Sequence, residues 1–201
     1  MNKSHVLAAA LLACAFGAQA SVTQLADESE MTTSFVNDFE SAKNAGPITF
    51  DAGSQLFSAS GAAHGQTSSG TNGLLSGGYS FASITATLAG AYTAVGLYFG
   101  NDDTCCASGV NATLSVYSGA SFLGSVTVAG NMNDYADQFI GLSSTEGFDR
   151  VVLSYDSGNL YVFADDVRVG SAVAAVPEPE TYALLLGGLG LVGWMARRRR
   201  A

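Results

Sequence analysis

Short runs of alternating apolar and polar residues fill the middle of the chain. "ITATL" from Ile84, "AVGLYF" from Ala94, "ATLSVY" from Ala112, "GSVTV" from Gly124, "QFIGL" from Gln138, "RVVLSY" from Arg150 and "YVFADDVRV" from Tyr161 each predict a strand. In Ala112 to Tyr117 the period is two: Leu114 and Val116 share one face, Thr113 and Ser115 the other. Strands recurring every roughly ten to fifteen residues, with glycine between them, predict an all-β sandwich. Tyr117-Ser118-Gly119-Ala120-Ser121-Phe122 predicts a tight hairpin connection. The one helical candidate within the domain is "SVTQLADESE" from Ser21, which also reads as a frayed arm. The tract "GAAHGQTSSGTNGLLSGG" from Gly61 to Gly78 predicts a long surface loop, either a mobile connection or a binding loop.

Both ends break this pattern with apolar runs. Lys3, an apolar stretch from Val6 to Phe16 and the triplet Ala18-Gln19-Ala20 predict a secretory signal peptide over residues 1–20, cut between Ala20 and Ser21. A buried first helix and a lipoprotein signal ending at Cys14 are the competing readings. At the other end Tyr182 to Ala196 predicts one short transmembrane helix, with Arg197, Arg198, Arg199 and Arg200 directly behind it. Such a helix reaches roughly 22 Å against a hydrocarbon core of ~30 Å, a mismatch met by local thinning and snorkelling arginines. The arginine block marks the cytoplasmic side, so residues 21–176 form an ectodomain and residues 177–201 a tail. A buried terminal helix is the alternative. Gly187, Gly190 and Gly193 line up a small-residue ridge along this span.

The tail "VPEPETYALLLGGLGLVGWMARRRR" resembles the PEP-CTERM sorting signal: Pro177-Glu178-Pro179, a short span and a basic cluster, paired with an N-terminal signal peptide. The resemblance implies processing by an exosortase, a membrane-embedded cysteine transpeptidase. Pro177, Glu178 and Pro179 would be recognised, residues 182–196 would anchor the chain transiently in the inner membrane, and Arg197 to Arg200 would stop transfer. Prolines suit that role physically, because they hold the peptide extended and remove backbone donors. More loosely, "ITFDAGSQL", "AVGLYFGNDD", "LSVYSGASFLGSVTV", "FIGLSSTEGFDRVVLSY" and "FADDVRVG" resemble the β-sandwich, jelly-roll-like ectodomains common among proteins with such tails.

Charge changes the picture of partners. Residues 21–176 hold three basic residues, Lys43, Arg150 and Arg168, against fifteen acidic ones, a net charge of −12. That excludes nucleic acid, which needs clustered Lys and Arg. His64 is the one histidine beyond the signal peptide, which argues against a His-rich zinc centre, and no Gly-x-Ser-x-Gly elbow or phosphate-binding glycine loop is present.

Asp165-Asp166 is the most informative carboxylate pair. Strict alternation places Asp165 with Phe163, Val167 and Val169, and Asp166 with Ala164 and Arg168. One carboxylate therefore shares a face with core residues and needs a partner. Calcium would suit it, with Asp38 or Glu40 as further ligands if the first and last strands pair; loop backbone, Arg150 or Arg168 are the alternatives. Asn101-Asp102-Asp103 reads as a solvated acidic loop. Beside it, Cys105 and Cys106 are the cysteines left after signal removal, open to a strained vicinal disulfide, free thiols or bonds between chains. The expectation for function is an exported, non-enzymatic surface or extracellular-matrix protein associated with extracellular polysaccharide and biofilm. A secreted polysaccharide-active hydrolase and a self-assembling coat protein are the rivals.

Overall fold

The computed structural model describes residues 20–58, 67–78, 82–102, 107–173 and 188–189. His64, Asp103, Cys105, Cys106, the sorting motif Pro177 to Pro179 and Arg197 to Arg200 lie outside them, as does almost all of the signal peptide and of the predicted span. Among the described residues no helix is long and apolar enough to cross a membrane.

The domain is all-β. Its strands are β1 (Val22–Leu25), β2 (Met31–Asn37), β3 (Ile48–Phe50), β4 (Gln55–Ser58), β5 (Asn72–Leu75), β6 (Ser83–Gly100), β7 (Asn111–Ser118), β8 (Ser121–Ala129), β9 (Gln138–Tyr155) and β10 (Phe163–Ala172), with one 3-10 turn at Glu28–Glu30. All pairings are antiparallel, and one continuous sheet runs β4-β5-β10-β6-β9-β7-β8.

β6 and β9 make the sheet a sandwich. Each is 18 residues long, and each absorbs two runs that alternation predicts as separate strands. Ile84 to Thr87 pair with Arg150 to Leu153, whereas Ala94 to Phe99 pair with Gln138 to Ser143, and the register breaks twice around Tyr92. Small residues at the corner, Ala89, Gly90, Ala91 and Gly147, let both strands bend there. The first half of β6 and the second half of β9 build a layer with β3, β7 and β8; the second half of β6 and the first half of β9 build one with β10, β1, β2 and β5.

One core lies between the layers. Ala86, Leu114, Val116, Val151 and Leu153 from one side meet Val95, Leu97, Phe99, Ile140, Leu142 and Val169 from the other. Tyr155, at the end of β9, donates its hydroxyl across the layers to the Gly100 carbonyl at 2.5 Å. The predicted hairpin forms, with Ser118 opposite Ser121 and Gly119 at φ +57 in the turn.

Three expectations need correcting. "SVTQLADESE" is neither helix nor free arm: β1 pairs with Leu142 to Ser144 and Gly141 of β9, and the 3-10 turn follows. The predicted loop from Gly61 to Gly78 contains β5, which is tied to both β4 and β10. Asn101 and Asp102 are buried rather than solvated, at 8% and 0% exposure.

Candidate functional site

The Asp165-Asp166 pair sits on a β-bulge. Tyr98 pairs with Asp165 and Gly96 with Arg168, so β10 inserts one extra residue against β6. Asp166 takes φ +49 there, a left-handed conformation that aspartate tolerates better than most side chains. The bulge cancels the alternation: both carboxylates are buried and both reach the segment Thr67 to Thr71.

Asp165 accepts from the Ser68 hydroxyl at 2.8 Å and the Ser69 backbone N–H at 3.0 Å, while its other oxygen accepts the Asp166 N–H at 2.7 Å. Asp166 lies 3.0 Å from the Ser68 hydroxyl and accepts from the Ser69 hydroxyl at 2.9 Å. Burial pushes the Asp165 carboxyl up to about 6 against the opposing effect of the Ser69 and Ser68 hydrogen bonds. Glu40 grips the same segment from the other side, accepting the Thr71 and Asn72 N–H groups at 2.7 and 2.6 Å, and these backbone bonds hold its carboxyl below the usual range.

The predicted calcium ligands are thus placed as follows. β2 and β10 do pair, which brings Glu40 and Asp165 to one loop, but each carboxylate is occupied by hydroxyl and N–H donors of the protein. Asp38 accepts the Glu40 N–H in its own turn, at 3.2 Å. Among the described residues no group of three or more His, Cys, Asp and Glu side chains could hold a metal ion. Arg150 stays away from the acidic pair, its guanidinium lying over the Tyr117 ring.

Beside the bulge opens a cleft of about 450 Å³ lined by Glu28, Thr67, Ser68, Tyr98, Tyr135, Ala136, Asp137, Asp166 and Arg168. Arg168 is fixed within it by Glu28 at 2.7 Å and by the Asp166 carbonyl at 3.2 Å, with its guanidinium carbon 5.3 Å from the Tyr98 ring centre. Tyr98 also meets Phe139 edge-on at 5.7 Å. Phe139 covers Gly96 and Gly141, where a Cβ would approach its ring within 2.6 Å, so two glycines let an aromatic layer lie close on the sheet. Burial raises the Tyr98 hydroxyl pKa, and the Glu28 charge adds to this.

Tyr135, 44% exposed, is carried by a loop built from side-chain to backbone bonds. Asn133 accepts the Tyr135 N–H at 2.8 Å, Asn131 and Asn133 both donate to Asp137, and the buried Asp102 accepts the Met132 N–H at 2.9 Å. Burial raises the Asp102 carboxyl pKa against the Met132 bond. Asp102 is therefore a buried anchor for one cleft wall. Two tyrosine rings, a fixed guanidinium and several hydroxyls and carboxylates around an open groove suit a polyhydroxylated ligand with flat apolar faces.

Sequence reasoning found Asp165 and Asp166 but missed Tyr98, Tyr135 and Ser68. Tyr98 could have been found as the polar-face aromatic of "GLYF", and Tyr135 from its Asn/Asp-rich surroundings, which mark an ordered loop. At the N-terminus, Ser21 is tied to Thr145 by bonds of 3.0 Å in both directions, so the predicted cut after Ala20 falls where the chain joins the sheet.

No curated protein sequence matches the chain. Among solved structures it is similar to the C-terminal family 22 carbohydrate-binding module of Clostridium thermocellum Xyn10B, with a TM-score of 0.44 at 14% identity over 76% of this chain and 99% of that one. It is also similar to CsCBM6-3 from Clostridium stercorarium, with a TM-score of 0.37 at 14% identity over 76% and 94%. A third similar structure is the Agl-KA catalytic domain, with a TM-score of 0.44 at 13% identity over 66% of this chain; the chain spans 28% of that one. Residues 175–200 match the model of the PEP-CTERM protein-sorting motif, and the chain is thus an all-β domain followed by a PEP-CTERM sorting signal.

Proposed function

We propose that this protein is exported through the inner membrane, held there briefly by residues 182–196, processed by an exosortase at Pro177-Glu178-Pro179 and delivered to the cell surface or extracellular matrix, where its jelly-roll-like β domain binds polysaccharide without turning it over. The sorting motif at residues 175–200 supports the route. The observation that carries the binding role is the cleft in which Tyr98, Tyr135 and Arg168 present two aromatic rings and a fixed cation beside the hydroxyls of Thr67 and Ser68. Pyranose rings offer the matching combination of flat C–H faces and hydroxyl rims.

Affinity electrophoresis or calorimetry against the producer's extracellular polysaccharide tests the binding role. Tyr135→Ala is expected to weaken binding at least tenfold, while Tyr135→Phe retains most of it, because the ring face rather than the hydroxyl carries the contact. Release of shorter glycans by the wild-type protein would instead make it a hydrolase. Mass spectrometry of the mature termini tests the route: the N-terminus is expected at Ser21 and the tail without Arg197 to Arg200, and a mature form that keeps all four arginines would contradict processing.

A further inference from the structure

Far along the sheet from the cleft, four residues stand in one cross-strand row: Thr87 of β6, Arg150 of β9, Tyr117 of β7 and Phe122 of β8. Directly opposed residues share a face. Their neighbours one step along, Ala86, Val151 and Val116, are buried in the core, so this row faces outward. Phe122 is 58% exposed, the most exposed large hydrophobic side chain of any described strand, and its ring centre lies 5.4 Å from that of Tyr117. The Arg150 guanidinium carbon sits 4.1 Å from the Tyr117 centre on the other side.

Arg150 is the odd cation of the domain. Lys43 donates to the Asp51 and Ser54 carbonyls, and Arg168 pairs with Glu28. Among the described residues Arg150 has no carboxylate partner, and its Nε is buried without a hydrogen bond. The adjacent Asp149 is engaged by the Gly119 N–H at 2.8 Å. The next rows on this face are Thr85, Val152 and Ser115, then Ser154, Thr113 and Thr127, so the surface beyond the aromatic row is hydroxyl-rich and free of acids. A domain with fifteen acidic residues thus leaves one guanidinium without a carboxylate partner, beside an exposed aromatic ring, with Asp149 bonded into the hairpin turn on one side and acid-free hydroxyl rows on the other.

We propose that this face is a second binding surface, distinct from the cleft, for a glycan bearing carboxylate groups, that is, a uronate-type polymer. A pyranose ring stacks on Phe122, its carboxylate takes the guanidinium fork of Arg150, and its hydroxyls meet the Thr and Ser rows. The guanidinium suits this ligand because its planar donors match a carboxylate bidentately. Stacking on Tyr117 holds that fork in place before the ligand arrives. At physiological salt the Debye length is ~8 Å, so the domain's distant acids are screened while the local cation is not.

Calorimetry of the purified mature protein against an oligogalacturonate and a neutral cello-oligosaccharide of equal length, in about 0.15 M salt, tests this. The acidic oligomer is expected to bind at least tenfold more tightly than the neutral one. Arg150→Gln removes that preference, Arg150→Lys keeps part of it, and Phe122→Ala, at an exposed position that leaves the thermal midpoint in place, weakens acidic binding severalfold. The proposal is overturned by no preference for the acidic oligomer, by undiminished preference in Arg150→Gln with normal melting, or by a preference lost in Tyr135→Ala but kept in Arg150→Gln. Self-association of the wild type that Phe122→Ala abolishes, without acidic binding, would overturn it in favour of a second copy of the chain.

Discussion

Truncation of Phe99 to alanine is expected to destabilise the β domain by about 3–5 kcal/mol, the range for removing a fully buried aromatic side chain. Phe99 has no exposed surface, and it packs edge-on against Tyr155 with ring centres 6.2 Å apart. That contact lies between the layers, at the end where Tyr155 also bonds the Gly100 carbonyl. The cavity would therefore loosen both the aromatic pair and the buried hydrogen bond beside it. At about 2–4 °C per kcal/mol for a domain of this size, the thermal midpoint should fall by roughly 10–15 °C. Because one core cluster takes residues from both layers, far-ultraviolet and near-ultraviolet circular dichroism should melt together in the variant. A fall of less than about 3 °C, or separate transitions for the two signals, would show that the layers do not share a core at this position.

The same core explains what could be read from the chain and what could not. Period-two alternation located β7, β8 and β10 and both halves of β6 and β9; burial follows it in β7 and in the first half of β6, where buried and more exposed positions alternate, whereas β10 and the second half of β6 are buried on both faces and read as strands by their apolar, β-branched and aromatic content. It failed at "LAGAY", residues 88–92, where β6 crosses from one layer to the other. There the faces exchange roles, and a bend looks like a break between strands. Val22 and Leu25, three residues apart, imitate a helical face, while the partner that makes them a strand lies more than a hundred residues away on β9.

The site was half legible for a related reason. Adjacent carboxylates in an apolar strand announced a buried acid in need of donors, and that need is real. The donors are Ser68 and Ser69, 96 to 98 positions earlier in the chain, and the bulge at Asp166 that turns both carboxylates toward them leaves no mark in the alternation. Of the companions expected for this pair, loop backbone and Arg168 are both present, the Ser69 N–H on Asp165 and the Arg168 guanidinium 3.7 Å from Asp166. Hydroxyl and backbone donors on a folded loop serve the same physical purpose.

Asp165 should make the domain lose stability as pH rises through the weakly acidic range. Its carboxyl stands near 6 in the folded protein against an ordinary 3.8, burial being the main cause. Between those values the folded state holds a proton that the unfolded state has released, so stability falls with rising pH across this window and levels off above it. A shift of that size corresponds to about 2–3 kcal/mol. Asp51 acts in a different window. Burial raises its carboxyl, but hydrogen bonds from Thr85 and Ser54 outweigh this and leave it below 3.8. Its contribution is complete above 3.8 and is lost as pH falls through the lower folded value. The wild-type thermal midpoint should therefore peak near pH 4–5 and decline toward 7. The geometry supplies a reason for the decline. Ser68 has one hydroxyl hydrogen but lies 2.8 and 3.0 Å from two carboxylates, so one of the two must carry a proton for both contacts to be hydrogen bonds, and the raised Asp165 carboxyl is the one that holds it. Asp165→Asn keeps a donor toward Ser68 but sets an amide against the Ser69 N–H. The variant should start about 1–3 kcal/mol lower at pH 4 and then lose most of the decline that the wild type shows toward pH 6, with burial of Asp102 leaving a smaller slope of the same sign. A wild-type midpoint that is flat between pH 4 and 6, or an equally steep fall in Asp165→Asn, would remove the shared-proton account of this loop.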